Sequence, residues 1–246
     1  MRAGRWVGTV VALAGLLVPL TACSNGSDAQ PGSEASPAAA TAAASPQHSA
    51  DGRITGLAQR WLSRIPADTR QVVVAYGDGA DSPKGRVRFY QKRGDAWTAE
   101  ADWASHNGRR GWTAAHRESD QHSPVGVFTL TDAGGLLPDP GAKLPYHQTT
   151  AFTPPSAWGP SRAHDFDYVI AINYNRVSGS SPLDPRRPKG QSLGGGIWLH
   201  LDHGSGSSAC VTLPKAAMRL LLRTLDPAQH PVVVMGDRAA LAGRSS

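Results

Sequence analysis

Apolar positions along most of this chain alternate with polar ones or gather in short runs, and only two stretches repeat with a helical period. Ile54, Leu57, Ala58, Trp61, Leu62 and Ile65 share one helical face, which predicts a short amphipathic helix over 53–66, capped by Asp51 and stopped by Pro66. Met218, Leu221, Leu222 and Leu225 form the inner face of a second helix over Leu213–Leu225, with Pro214 in its first turn and Asp226-Pro227 beyond its end. Between them the signal is β. Gln71–Tyr76 is a valine-rich run. Arg86–Gln91 alternates and turns at Gly94-Asp95 into Ala96–Trp103, a hairpin. Gly126–Leu130, Tyr168–Tyr174, Gly196–Leu201 and Pro231–Met235 read as further strands. The expectation is a mostly β domain over 70–236 with a few helices. The proline-rich stretch Pro138–Arg162 reads either as a groove wall or as a surface loop, and Pro182–Gly190 as a mobile loop near the site.

The N-terminal quarter has a different pattern. Arg2 and Arg5 precede the apolar run Val7–Leu20, which is too short for a comfortable membrane span, so residues 1–22 read as a signal peptide. Leu20-Thr21-Ala22-Cys23 resembles a bacterial lipobox, which would make Cys23 a lipidated N-terminus. Residues 23–52 are rich in Ser, Ala, Pro and Gly and lack large apolar side chains. They bury too little to offset ordering and read as a disordered tether. The protein is thus expected to be exported and lipid-anchored on the outer face of the cytoplasmic membrane.

Composition adds two constraints. A hydrophobic fraction of 40% suffices for one core, and a formal net charge of +6, two of it from Arg2 and Arg5, suits an anionic wall or membrane surface but is no nucleic-acid signature. There are two cysteines. With Cys23 assigned to lipid, Cys210 is a lone thiol in an exported protein; a Cys23–Cys210 disulfide is the competing reading.

The candidate chemistry lies in one stretch. Ile197-Trp198-Leu199 carries His200 to the end of a strand, a Gly/Ser loop follows, and the loop ends on Cys210 just before the second helix. A thiol beside an imidazole is the minimum for covalent acyl transfer. Cys210 is then the nucleophile and His200 the base and later the acid, and both the imidazole and the helix N-terminus are expected to favour thiolate. Backbone N–H groups of Ser207, Ser208 and Ala209 are the oxyanion candidates. Asp202 and His203 are secondary candidates, Asp202 as a third member orienting His200. The runner-up chemistry is a metal site from His200-x-x-His203 with Cys210, but no fourth ligand at tight spacing is visible. Gly194-Gly195-Gly196 leads into a strand rather than out of one, which excludes a dinucleotide loop.

The segment Gly194–Pro214, with Ile197-Trp198-Leu199-His200 and Ser208-Ala209-Cys210-Val211-Thr212-Leu213-Pro214, resembles the signature of the L,D-transpeptidase catalytic-domain family. Asp120-Gln121-His122-Ser123-Pro124-Val125-Gly126-Val127-Phe128 and Tyr168–Asn175 are similar to two further family segments, in the family's order. The chain departs from the pattern in two ways: Ala209 stands where the family usually has glycine, and Ser208 and Thr212 stand where many members have histidine and arginine. Glycine permits a positive φ or a close substrate approach more readily than alanine. The resemblance implies a mixed β-sandwich with a few helices, and a monomer that crosslinks or remodels peptidoglycan through a Cys210 thioester. It implies stem peptides as partners, no cofactor and no metal. Alternatives within that resemblance are an L,D-carboxypeptidase and a non-catalytic wall-binding domain.

Overall fold

The computed structural model describes residues 47–48 and 52–244. The signal peptide, Cys23, most of the tether and the Asp51 cap lie outside the described residues. Among the described residues no helix is long and apolar enough to cross a membrane.

Eight strands build the domain. They are β1 (Gln71–Gly77), β2 (Lys84–Arg93), β3 (Ala96–His106), β4 (Gly126–Gly135), β5 (Val169–Ile172), β6 (Trp198–Leu201), β7 (Val211–Leu213) and β8 (Val232–Asp237). Hydrogen-bonded neighbours run β3-β7-β6-β5-β4-β8-β1-β2 and return to β3. The β6–β7 and β8–β1 pairs are parallel and the rest of the ring antiparallel. The protein is mostly β, as its periodicity predicts, but the sheet closes into a mixed barrel and not into the two open layers of a sandwich. The cause is the length of β3. Its last residue, His106, pairs with Lys84 of β2 on one side and with Thr212 of β7 on the other. Closure leaves no free edge in the ring to attract another chain.

Alternation along the strands sorts the side chains into two apolar clusters. Val73, Ala75, Val87, Phe89, Ile170, Ile172, Leu199, Leu201, Val211, Leu213, Val233 and Met235 form an inner cluster shared around the ring. Helix α2 (Lys215–Thr224) adds Ala217, Met218, Leu221 and Leu222 to it, the face its pattern predicts. Val72, Val74, Tyr76, Val232 and Val234, on the opposite face of β1 and β8, are covered by Ile54, Leu57, Trp61 and Leu241. The helix expected over 53–66 is here a single turn, α1 (Gln59–Leu62). Gly56 at φ +78° and the extended Ala58 break the helical path before it. The apolar face is still buried, because the segment docks on the C-terminal turn Arg238–Leu241: Trp61 Nε1 donates to Ala240 O at 3.0 Å and Ala58 N to Leu241 O at 2.8 Å. The end of the expected tether is also engaged. Gln47–His48 pairs with Thr98–Ala99, and Trp97 N donates to Gly52 O at 2.8 Å.

Two long connections lie over the outward face of β5, β6 and β7. Residues 136–168 make three 3-10 turns. Residues 173–197 are tied down. Arg176 and Asp132, both buried, form an ion pair at 3.0 Å. Asn175 Nδ2 donates to Gly190 O at 2.9 Å and to Gly194 O at 2.6 Å, and Asn175 Oδ1 accepts Lys189 N at 2.8 Å. The stretch expected to be a mobile loop is thus held at its C-terminal end by Asn175, which also ties down the chain at Gly194 before β6.

Candidate active site

Leu199 and Leu201 of β6 face inward, so Trp198 and His200 face outward. On β7, Val211 and Leu213 face inward, which turns Cys210 and Thr212 outward. The strands are parallel, with Leu199 opposite Val211 and His200 opposite Thr212. Cys210 and His200 therefore stand on one face of adjacent strands and line one cavity of about 480 Å³. Trp158, Arg162, Asp165 and Phe166, all from the connection before β5, line it together with Arg109, Ser207 and Ser208. Pro138–Arg162 thus divides between the two readings: Trp158 and Arg162 line the cavity, while Phe152 is fully buried.

The imidazole is set for base work. His200 is buried, and its Nδ1 lies 2.9 Å from Leu201 O. A carbonyl only accepts, so Nδ1 carries the proton and Nε2 keeps its lone pair. Phe166 packs edge-on at 5.1 Å between ring centres. Burial, aided by neighbouring His203, pushes His200 down to about 4, against the Leu201 hydrogen bond, so the ring is neutral at neutral pH.

Cys210 carries a free thiol. Its Sγ accepts Trp198 N–H at 3.4 Å and donates to Gly196 O at 3.7 Å. Burial, with the Asp165 carboxylate nearby, pushes the thiol up to about 12, against the pull of the Trp198 N–H. This overturns the expected thiolate. Burial thus disfavours both charged forms, and the resting pair is a neutral thiol beside a neutral imidazole. The helix-terminus argument also fails, because β7 and Pro214 separate Cys210 from the first residue of α2, roughly 16 Å of extended chain.

The secondary candidates are redistributed. Asp202 does not orient His200; its Oδ1 accepts Thr212 Oγ1 at 2.6 Å and pairs with His106 Nδ1 at 2.8 Å. Burial opposes ionisation of Asp202, but those hydrogen bonds outweigh it and hold the carboxyl below its ordinary range. His203 is not a loose loop residue. Its buried ring stacks on His200 at 6.2 Å and 18°, and its Nδ1 is 3.3 Å from Asp165 Oδ2. Side-by-side rings do not converge on one point, and among the described residues no group of three His, Cys, Asp or Glu is arranged to hold a metal.

The nucleophile turn is braced by the upstream segment. Ser123 Oγ donates to Ala209 O at 2.6 Å and accepts Gly108 N at 2.9 Å. Ser207 Oγ donates to Cys210 O at 2.6 Å. Ser207 N–H is already given to Asn107 O at 2.9 Å, which removes it from the oxyanion candidates and leaves Ser208 and Ala209. Ala209 has no left-handed φ, and its methyl is buried in the inner cluster. The position does not require glycine.

Sequence reasoning missed Arg109, Arg162, Asp165 and Phe166. All four come from loops outside the strand–loop–strand unit that carries Cys210. The only signal for them was their place in connections too long for simple turns.

No family model matches the chain, and none of the curated proteins matches it. Among solved structures it is similar to Bd1075 of Bdellovibrio bacteriovorus, with 15% identity, 69% of this chain and 48% of that chain covered, and a TM-score of 0.40. The chain thus spans about half the length of that protein, a likeness too shallow to speak to function.

Proposed function

We propose that this chain is an exported cysteine acyltransferase of the L,D-transpeptidase kind, acting on peptidoglycan stem peptides and tethered to the membrane through lipid on Cys23. The observation that carries the reading is the placement of the Cys210 thiol and a neutral His200 on one face of two parallel strands, walling one cavity. The order of the three sequence segments supports it as well, since Ser123 bonds Ala209 O and Asn175 bonds Gly194 O, which joins both upstream segments to the Gly194–Pro214 stretch.

When the acyl donor enters, the thiol turns from Gly196 toward His200, and Nε2 takes its proton as Sγ attacks the carbonyl. The tetrahedral oxyanion is held by N–H groups of the Ser208–Ala209 turn. The C–N bond breaks, and His200 passes the proton to the departing amine. An acceptor amine then attacks the thioester, its proton returns through His200, and the thiol is released. Water in place of the amine makes the same site a carboxypeptidase.

The test is the product spectrum of the full chain on purified stem peptides, with and without an amine acceptor. The reading requires loss of the terminal D-amino acid and a crosslinked product. Hydrolysis alone moves the assignment to an L,D-carboxypeptidase. No turnover and no Cys210 adduct in the folded protein moves it to wall binding without catalysis.

Ala209→Gly is expected to leave acylation of Cys210 no faster, because the turn is already relaxed with alanine. It is expected to lower stability by about 0.5–1 kcal/mol through the freer unfolded chain. Adduct formation followed by mass, beside a thermal melt, checks both. A severalfold acceleration would show that the methyl obstructs the turn.

A further inference from the structure

The layer that covers the outer face of β8 and β1 is basic. Residues 53–65 hold Arg53, Arg60 and Arg64, residues 238–244 hold Arg238 and Arg244, and neither stretch contains an acidic residue. All five arginines are exposed. Of the acids around the layer, Asp78 pairs with Arg238 at 3.6 Å, Asp68 pairs with His230 at 3.6 Å, and Asp95 lines a groove with Arg53 and Lys92. Asp237 is buried, and its Oδ1 accepts Ala240 N at 2.9 Å.

Three of the arginines rest on aromatic rings. Arg60 and Arg64 lie over Trp61, 5.6 and 5.2 Å from the ring centre, and Arg238 lies over Tyr76 at 5.5 Å. Arg60 Nη2 also donates to Ala240 O at 2.6 Å, which ties the two segments together. A stacked guanidinium keeps in-plane N–H donors for phosphate oxygens and has less side-chain freedom to lose when it docks.

The fold gives this face a direction. In the ring order, β8 and β1 stand halfway round from β7 and β6, whose outward side carries the Cys210 cavity. The chain that leads from Cys23 meets the domain at the same basic layer: Gly52 O accepts Trp97 N at 2.8 Å, and Trp97 packs against the outer apolar cluster. An anchor at one point of a chain sets a domain's distance from a membrane but not its facing. We infer that the layer of residues 53–65 and 238–244 is a docking face for a membrane surface rich in anionic lipid headgroups, and that docking turns the Cys210 cavity away from that surface. The membrane as occupant rests on the anchoring at Cys23 put forward above; the basic face does not.

The test uses the full chain carrying Cys23→Ala, so that no attached lipid contributes. It is mixed with vesicles of phosphatidylcholine alone or of phosphatidylcholine with phosphatidylglycerol, and cosedimentation and hydrogen exchange are followed. Exchange should slow in peptides from 53–65 and 238–244 on the anionic vesicles only. The apolar run Val7–Leu20 is common to every variant and cancels in the anionic-to-neutral affinity ratio. Arg60→Gln/Arg64→Gln should lower that ratio about tenfold or more, at roughly fivefold per arginine, and added salt should lower it too. Arg60→Lys/Arg64→Lys, which keeps the charge, should retain most of it. Arg219→Gln/Arg223→Gln, exposed on α2, should leave it unchanged. Alkylation of Cys210 by iodoacetamide, located by peptide mass, should be as fast on anionic vesicles as in solution. Absence of protection, equal protection on both vesicles, an equal loss in the α2 pair, or a loss in the lysine pair as large as in the glutamine pair overturns the docking face. Equal protection by a soluble anionic polymer at the same charge concentration overturns the membrane as its occupant. Slowed alkylation of Cys210 on the vesicles overturns the orientation. Exported protein that carries no lipid on Cys23, yet is protected as expected on anionic vesicles, removes the anchor and leaves the face standing.

Discussion

Cys210→Ser is expected to abolish the covalent adduct and turnover together while leaving the fold intact. One atom changes, and the site is built around that atom. The thiol takes the Trp198 N–H and gives its proton to Gly196 O, and a hydroxyl can make the same two contacts, so stability should move little. Reactivity should not survive. Sulfur is held as a neutral thiol near 12 and reaches the carbonyl only by handing its proton to His200 as it attacks. A serine hydroxyl is less acidic still, and the neutral imidazole near 4 is too weak a base to compensate. A loss of roughly 10⁴–10⁶-fold is expected, the scale seen when a covalent nucleophile is removed. The L,D-transpeptidase resemblance supplies the probe: carbapenem-type β-lactams acylate that family's cysteine. The parent should gain one drug-sized mass on the peptide containing Cys210, and Cys210→Ser none. An adduct on the serine variant would place the nucleophile elsewhere.

The periodic elements were legible because burial on one face leaves a mark in the sequence. Gln71–Tyr76, the Gly94-Asp95 hairpin and the inner face of α2 stand where alternation and helical spacing put them. Closure of the barrel was not legible. It depends on the single residue His106 pairing in two directions, and no period records that. Within the site, Cys210 and His200 were found because a strand and a short loop bring them together within eleven residues of chain. The surroundings that set their protonation were not. Burial under Phe166 and beside Asp165 arises from a connection more than thirty residues upstream, and it reverses the expected thiolate. The short strand Val211–Leu213 is not among the expected strands, since two apolar residues around Thr212 are too short a run to show a period, and its last residue Leu213 falls in the helix expected over Leu213–Leu225. That misreading produced the helix-dipole argument. Asp202 illustrates the converse: residues two apart on a regular strand share a face, but Asp202 lies just beyond β6 and turns to Thr212 and His106 instead.

His200→Ala should reduce kcat/KM by several orders of magnitude, and the pH dependence should show why. The resting pair is neutral, so the reactive form has a protonated thiol and an unprotonated imidazole. It persists from about 4, where His200 takes a proton, up toward 12, where the thiol loses one. The parent's kcat/KM should therefore be flat across neutral pH with its acid limb near 4, not near the 6.5 of a free imidazole. His200→Ala should lose that limb along with the rate, whereas a preformed ion pair would move the limb to a thiolate in both proteins. The same shift makes a stability claim whose sign is fixed. His200 is depressed in the folded state, so the unfolded chain binds the proton first as pH falls. Stability is complete above 6.5, declines below it, and has lost roughly 3 kcal/mol by about 4, where the folded state also protonates. Denaturant unfolding of the parent should show that decline, and His200→Ala should show less of it while starting from a lower stability, because a buried ring has been cut away. A parent whose activity falls off near 6.5, with no acid-side loss of stability traceable to residue 200, would mean that His200 is solvated and that burial does not set its charge.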